Sequence, residues 1–128
     1  SELPKVKANE EIDFVIVNGE NAAGGYGITK KICNELFSVG VDVITSGNHI
    51  WDQKETADFI STEKRLLRPL NFMEGTPGSG CEIYPLKNNK RVYFLLKISK
   101  SLIFVITSNL FLSVFLISVI IFLFMFNL

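Results

Sequence analysis

Hydrophobic residues in the first half of the chain follow the spacing of a strand, then that of a helix. Residues 12–17, IDFVIV, form a nearly continuous apolar run rich in β-branched side chains, which is typical of a strand buried on both faces of a parallel sheet. Between Thr29 and Val39, apolar residues recur on one helix face. Another apolar run, Val41 to Thr45, predicts a second strand. This order predicts a right-handed βαβ unit with parallel strands, and hence an α/β fold.

Residues that start and stop helices support this interpretation. Thr29 can cap the first helix, and Gly40 lies where that helix is expected to end. Asp52 and Glu55, three residues apart, resemble a capping box that opens a short helix through Ile60. The sequence thus predicts two helices with defined starts.

The second half of the chain is less regular. Residues 65–80 are too rich in proline and glycine for a regular element to be predicted. Two short strands are predicted at residues 81–86 and 91–96, with Asn88-Asn89 as the turn of a hairpin. We place a partial domain over residues 1–97.

The last part of the chain, residues 98–128, is a hydrophobic tail. Residues 101–128 carry no charge, and as a helix they could cross a hydrocarbon core of roughly 30 Å. Lys97 and Lys100 precede this run, so a span would leave the globular part in the cytoplasm. The alternative is out-of-frame sequence, because Phe, Ile, Leu, Asn and Ser crowd the tail. The prediction is therefore a helix-like tail that is either a membrane span or foreign to the fold.

Charge and cysteine content exclude several classes. Lys plus Arg and Asp plus Glu both number 13, so no nucleic-acid partner is evident. Cys33 and Cys81 fit neither a disulfide framework nor a CxxC metal motif. We expect both to be buried thiols in a reducing compartment, and the first residues do not predict a secretory signal. A cytoplasmic protein is predicted, with membrane association through residues 101–128 as an alternative.

Two polar clusters follow the predicted parallel strands directly. NGEN, residues 18–21, follows the first strand, and GNH, residues 47–49, follows the second. Ligands bind at the carboxyl ends of such strands, so these clusters are expected to meet at one sheet edge. Carboxylate, amide and imidazole groups are ligands for Mn²⁺, Fe or Zn²⁺, and two metals can clamp a phosphate. The alternative is an ordinary turn and a hydrogen-bonded loop histidine.

Other motifs offer weaker candidates. AAGGYG, residues 22–27, is not GxGxxG, and no P-loop is present. The helical pattern turns Cys33 inward, which disfavours a Cys–His nucleophile pair. Arg65 and Arg68 could bind a phosphate, but a solvated loop face is the favoured role for both.

The motifs NGENAAGG, GNHIWD and LLRP, in this order and spacing, closely resemble the bacterial YmdB-like metallophosphoesterases of the calcineurin-like superfamily. The resemblance extends from about residue 3 to about residue 96. It implies a four-layered α/β/β/α fold, of which this chain would hold a part. It also implies two metal ions and phosphodiesterase activity on small phosphodiesters such as 2′,3′-cyclic nucleotides.

The same resemblance assigns roles to individual residues. Glu20 matches the metal-bridging carboxylate, and Asn48 matches a metal ligand. Asn21 would lie beside the centre. His49 matches the histidine that contacts the phosphate and can protonate the leaving oxygen.

The chain also departs from the family pattern. Family members open with a strand that carries a metal-binding Asp in a GDIVG-like motif, whereas this chain starts inside the helix that follows it. His49 is the only histidine in the sequence, although the family takes further histidine ligands from its second half. The resemblance therefore predicts a chain truncated at both ends and inactive, unless a second polypeptide completes the centre. A membrane-attached, non-enzymatic protein is the alternative function.

Overall fold

The fold is built on the strands that the apolar runs predict. The structure is a computed structural model, and it describes residues 2–86, 91–96, 104–107 and 119–123. In chain order, the helices and strands are α1 (Leu3–Asn9), β1 (Phe14–Asn18), α2 (Lys30–Ser38), β2 (Val43–Thr45), α3 (Thr56–Phe59), β3 (Leu66–Leu67), β4 (Cys81–Pro85), β5 (Arg91–Leu95), β6 (Phe104–Thr107) and β7 (Val119–Leu123).

The predicted βαβ unit is present, and its strands are parallel. β1 and β2 pair with Ile16 opposite Val43 and Asn18 opposite Thr45. The connecting helix begins after Thr29, whose side chain accepts a hydrogen bond from the backbone N–H of Ile32 at 3.2 Å. A parallel sheet in the order β3-β2-β1-β7 contains this unit.

Alternate residues of β1 pack into two different cores. Val15 and Val17 face the helices and pack in a cluster with Cys33 of α2. Phe14 and Ile16 face the other way, into a cluster that includes Phe94 of β5. Because successive side chains of a strand point to opposite faces, burial on both faces makes β1 the central layer between helices and a second sheet. The described residues therefore form an α/β/β arrangement.

The second sheet contains the predicted hairpin strands. β4 and β5 are antiparallel, with Cys81 opposite Leu95, and β6 pairs antiparallel with β5. Asn88-Asn89 lies outside the described residues. The outer face of β4 is open, because Cys81, Ile83 and Pro85 are exposed in alternation. The prediction of a buried thiol is therefore wrong for Cys81 and right for Cys33.

Two predictions in the middle of the chain are wrong. The capping box does not form: the carboxylate of Glu55 instead accepts the backbone N–H of Lys30 at 2.8 Å, in the first turn of α2. The helix there covers only Thr56–Phe59. Within residues 65–80, Leu66–Leu67 form a short strand that pairs with β2, because the sheet edge supplies partners that local sequence does not reveal.

The described parts of the hydrophobic tail are strands. β6 and β7 lie within residues 101–128, and β7 pairs parallel with β1, placing Leu123 opposite Asn18. One continuous helix over the tail is therefore wrong for these residues. No helix among the described residues has the length and apolar character needed to span a bilayer. The rest of the tail lies outside the described residues.

Candidate functional site

The turn after β1 brings Glu20 to the edge of the parallel sheet. Asn18 Oδ1 accepts the backbone N–H of Glu20 at 2.8 Å, and the N–H of Gly19 donates to Thr45 O at 2.8 Å. A β-carbon at Gly19 would come within 2.8 Å of two isoleucine side chains, so glycine lets the turn pass close to the core. The chain is thus tied to the end of β2 as it leaves β1.

The Glu20 side chain extends across to the loop after β2. Its carboxylate lies directly against Gly47, where a β-carbon would overlap it. Glu20 is half-buried, and its carboxylate has no hydrogen-bond or ion-pair partner within the described part of the chain. The structure therefore brings a free carboxylate from the first polar cluster onto the backbone of the second.

His49 lies in a 3₁₀ turn, Asn48–Trp51, that begins at this loop. Its Nδ1 is 2.6 Å from Oδ2 of Asp52, and the histidine side chain is 32% exposed. An ionised carboxylate only accepts hydrogen bonds, so Nδ1 carries the proton in this pair. Nε2 is then the ring nitrogen left for a substrate.

The glycine-rich loop and the histidine turn pack against each other. Gly27 has φ +70°, and a β-carbon there would lie 2.7 Å from the carbonyl oxygen of His49. Gln53 Nε2 donates to the carbonyl of Tyr26 at 2.7 Å. The Tyr26 ring meets the His49 ring edge to face, with centroids 5.1 Å apart. The imidazole itself thus contacts the Tyr26 ring and the Asp52 carboxylate, while the backbone around it packs on the glycine-rich loop.

The two asparagines differ in how they are used. With its nitrogen facing the carbonyl oxygens, the Asn21 amide donates to Glu20 O at 3.3 Å and to Gly25 O at 3.0 Å. Asn48 is exposed next to Gly47, and its amide makes no hydrogen bond to another described residue. Asn21 therefore closes the glycine-rich loop, whereas the exposed Asn48 amide is left unpaired among the described residues, directly after the glycine that Glu20 contacts.

These groups meet only part of what a metal centre needs. Within residues 2–86 and the short described segments beyond, no three His, Cys, Asp or Glu side chains are grouped closely enough to hold an ion. Tight sites take about four or more protein ligands. Glu20 and Asn48 therefore fit as part of a ligand set, not as a complete one.

Sequence reasoning missed Asp52, Tyr26 and Gln53 as neighbours of the histidine. Asp52 was assigned to a helix cap, although its position three residues after His49 is also one turn away in a 3₁₀ helix. That spacing could have indicated the pair. The contacts of Tyr26 and Gln53 bridge residues more than 20 positions apart, and no local pattern indicates them.

The remaining candidates have structural roles. Arg68 is buried, and its guanidinium donates to the carbonyls of Pro69, Thr76 and Pro77 at 2.9 to 3.1 Å. The prediction of a solvated loop face is wrong for Arg68, because these carbonyls replace water. Arg65 pairs with Glu63. Burial raises the pKa of the Cys33 thiol from 9.0 to about 12, so it is a poor nucleophile at neutral pH.

Comparison with known proteins adds a family to this geometry. A family model described as YmdB-like protein matches residues 1–111. Over 78 residues the chain is 54% identical to a 2′,3′-cyclic-nucleotide 2′-phosphodiesterase of Bacillus subtilis. The matched region is 61% of this chain and 30% of that enzyme. The chain spans between 25% and 40% of the length of the curated relatives it matches.

Two solved structures resemble the fold. One is a hypothetical protein from Thermus thermophilus, with a TM-score of 0.66 and 38% identity, covering 73% of this chain and 35% of that one. The other is a phosphatase from Mycoplasma pneumoniae, with a TM-score of 0.62 and 35% identity, covering 70% of this chain and 33% of that one. Both likenesses extend over most of the described residues.

Proposed function

Since the chain belongs to the YmdB-like protein family, we propose that it carries part of the active site of a metal-dependent phosphodiesterase. The substrates would be small phosphodiesters of the 2′,3′-cyclic nucleotide type, the class named for the Bacillus subtilis relative. The reaction would be hydrolysis of one phosphorus–oxygen bond.

The observation that carries this proposal is the meeting of two loops at the ends of β1 and β2. The Glu20 carboxylate lies against Gly47, and His49 follows two residues later with Nδ1 held by Asp52. A free carboxylate and an oriented imidazole at the carboxyl ends of parallel strands are the groups that a metal-assisted phosphoester hydrolysis requires.

Glu20 and Asn48 are the proposed metal ligands. A carboxylate and an amide oxygen would suit Mn²⁺, Fe or Zn²⁺, and Glu20 would take the bridging role that the family resemblance implies. When bound, the ions would offset charge on the phosphate oxygens and activate water. Asn21 would support the site by holding the glycine-rich loop closed.

His49 is the proposed catalytic residue, and Asp52 is its positioning residue. With Nδ1–H directed to Asp52, Nε2 would contact the phosphate. As water adds to phosphorus and the bond to the leaving oxygen breaks, protonated His49 would give its Nε2 proton to that oxygen. The Asp52 carboxylate would stabilise the protonated ring during this step.

The isolated chain is expected to be inactive, because Glu20 and Asn48 alone would bind a divalent ion weakly. The remaining ligands would come from another polypeptide or from further sequence of the same protein. Purified chain with Mn²⁺ should therefore not hydrolyse bis-p-nitrophenyl phosphate above background. Turnover by the chain alone that His49→Ala abolishes would overturn this expectation.

A chimera tests the site itself. Residues 12–86 would replace their counterpart in the Bacillus subtilis enzyme, so that the rest of that enzyme completes the centre. We expect Mn²⁺-dependent hydrolysis that falls by about 10²- to 10⁴-fold in His49→Ala, the usual range for loss of a general acid. Glu20→Gln should raise the Mn²⁺ concentration needed for half-maximal activity.

The matched control is Asp58→Asn, which removes an exposed carboxylate of α3. It should leave both activity and Mn²⁺ dependence unchanged. A chimera that folds but is equally active with and without His49 would refute the proposed role of this residue.

A further inference from the structure

Tyr26 is an exposed aromatic residue beside the proposed catalytic histidine. The residue is 59% exposed. Among the described residues, four large apolar side chains are exposed, and Tyr26 is the aromatic one. Burying such a ring would be favourable, and here it remains open to solvent at the rim of the site. The ring is therefore accessible to a ligand that reaches His49.

The ring is held on a well-braced loop. The N–H of Tyr26 donates to Ala23 O at 3.3 Å, and its carbonyl accepts from Gln53 Nε2 at 2.7 Å. The edge-to-face contact with His49 sets the ring at 74° to the imidazole. A ring braced in this way loses little conformational freedom when a ligand packs on it.

Open space surrounds the loop next to this ring. Gly24 and Gly25 precede Tyr26, and a β-carbon at either would meet no atom within 4 Å. Both glycines have positive φ, +65° and +94°, which allows the tight turn that presents the tyrosine. The two glycines therefore place no side chain over the loop directly before Tyr26.

We propose that Tyr26 forms a nucleobase subsite, in which the base of a nucleoside phosphate stacks on the tyrosine ring while its phosphate lies at His49. This inference rests on the proposed function and adds to it the residue that would contact the base of the substrate. In a nucleotide, one ribose separates the base from the phosphate. The ring centroids of Tyr26 and His49 are 5.1 Å apart, so a base on Tyr26 and a phosphate at His49 could belong to one molecule. Stacking of bases on aromatic side chains tolerates different bases, so a broad base preference is expected.

A purely structural role would be to shield His49, and two variants separate the roles. Tyr26→Phe keeps the stacking face, whereas Tyr26→Leu keeps apolar bulk over His49 without an aromatic face. Binding would be measured on the chimera, in which the rest of the Bacillus subtilis enzyme completes the metal centre, by equilibrium dialysis in Mn²⁺ with adenosine 3′-monophosphate and with inorganic phosphate. The two ligands share the phosphate group, and only one carries a base.

We expect the nucleotide to bind at least about fivefold more tightly than phosphate, the lower end of measured stacking effects. Tyr26→Phe should keep this preference, and Tyr26→Leu should abolish it without changing phosphate affinity. Equal binding of both ligands by the unaltered chimera would refute the base subsite and leave the proposed function intact. An equal loss of both ligands in Tyr26→Leu would refute stacking in favour of shielding.

Failure of the proposed function has a different signature. If the unaltered chimera binds neither ligand, or if its phosphate binding is unaffected by His49→Ala, there is no phosphate site at His49. The base subsite would then be refuted together with that site.

Discussion

Two glycine-rich loops of this protein look alike in sequence and differ in what holds them. The site loop, residues 19–27, is closed mainly by its own backbone: the N–H of Gly27 donates to Glu20 O at 2.7 Å, and the N–H of Ala23 donates to Gly27 O at 3.0 Å. The arginine loop, residues 68–80, wraps around the buried guanidinium of Arg68. The site loop is held by its backbone and by the neutral Asn21 amide, whereas the arginine loop is held around a charged side chain.

The difference decides which loop can carry chemistry. In the site loop, the Glu20 carboxylate and the Tyr26 ring remain free because the backbone satisfies the turn. In the arginine loop, the charged side chain donates its hydrogen bonds to three backbone carbonyls. A charge in a glycine-rich loop is therefore a candidate functional group only when the backbone closes the loop without it.

The largest expected effect is on the arginine loop. Arg68→Leu would remove three charge-assisted hydrogen bonds and leave their carbonyl acceptors without partners. We expect the free energy of unfolding to fall by about 3 kcal/mol or more, measured by urea denaturation. Arg65→Leu is the matched control, because that arginine is exposed and pairs only with Glu63 and the Phe37 ring; it should cost about 1 kcal/mol or less. Equal losses in both variants would contradict the contrast between the loops.

An intermediate effect on stability is expected from alanine substitution of two glycines, one in the arginine loop and one beside Glu20. A β-carbon at Gly80 would lie 2.5 Å from the α-carbon of Leu70, whereas one at Gly47 would meet the carboxylate of Glu20. Backbone cannot move aside as a side chain can, so Gly80→Ala should lower the free energy of unfolding by about 2 kcal/mol. Gly47→Ala should cost less than about 1 kcal/mol.

The same Gly47→Ala change should weaken metal binding by displacing Glu20. In the chimera described above, it should raise the Mn²⁺ concentration needed for half-maximal activity, as Glu20→Gln does. Combining the two substitutions should cost no more than either alone, because both act on one carboxylate. Fully additive effects would show that Gly47 acts elsewhere.

The smallest effect concerns the two thiols, one in α2 after the site loop and one directly after the arginine loop. Cys33 of α2 is buried with its pKa raised to about 12, and Cys81 at the end of the arginine loop is exposed. At low pH both folded and unfolded chains keep the Cys33 proton. Above pH 9 the unfolded chain loses it first, so Cys33 should cost about 1 kcal/mol of stability per pH unit up to pH 12.

Urea denaturation between pH 8 and 10 measures this slope, and Cys33→Ala should be less pH-dependent than the unaltered chain by that amount. Iodoacetamide at pH 8 should modify Cys81 and spare Cys33. Rapid modification of Cys33 in the folded chain would contradict its burial.

Much of the fold was predictable because it is encoded locally. The apolar run before Asn18 predicts β1, and Thr29 caps α2 as expected. The parallel βαβ unit follows from chain chirality, and it was enough to place Glu20 and His49 at one sheet edge. The local pattern failed where a side chain could make either a local or a long-range hydrogen bond. The Glu55 carboxylate accepts the N–H of Lys30 in α2 and does not cap the helix that follows it in sequence.

The sequence by itself determined the two strands, the helix between them and the order in which the polar clusters follow the strands. Only the tertiary structure decided that Glu20 rests on Gly47, that Asp52 holds His49 and that Arg68 is buried within its loop. The physical reason is the distance along the chain over which each signal acts. Periodicity and capping act within a few residues. These contacts instead join loops that are brought together by the pairing of two parallel strands. The register of β1 and β2 thus sets which groups face one another at the site.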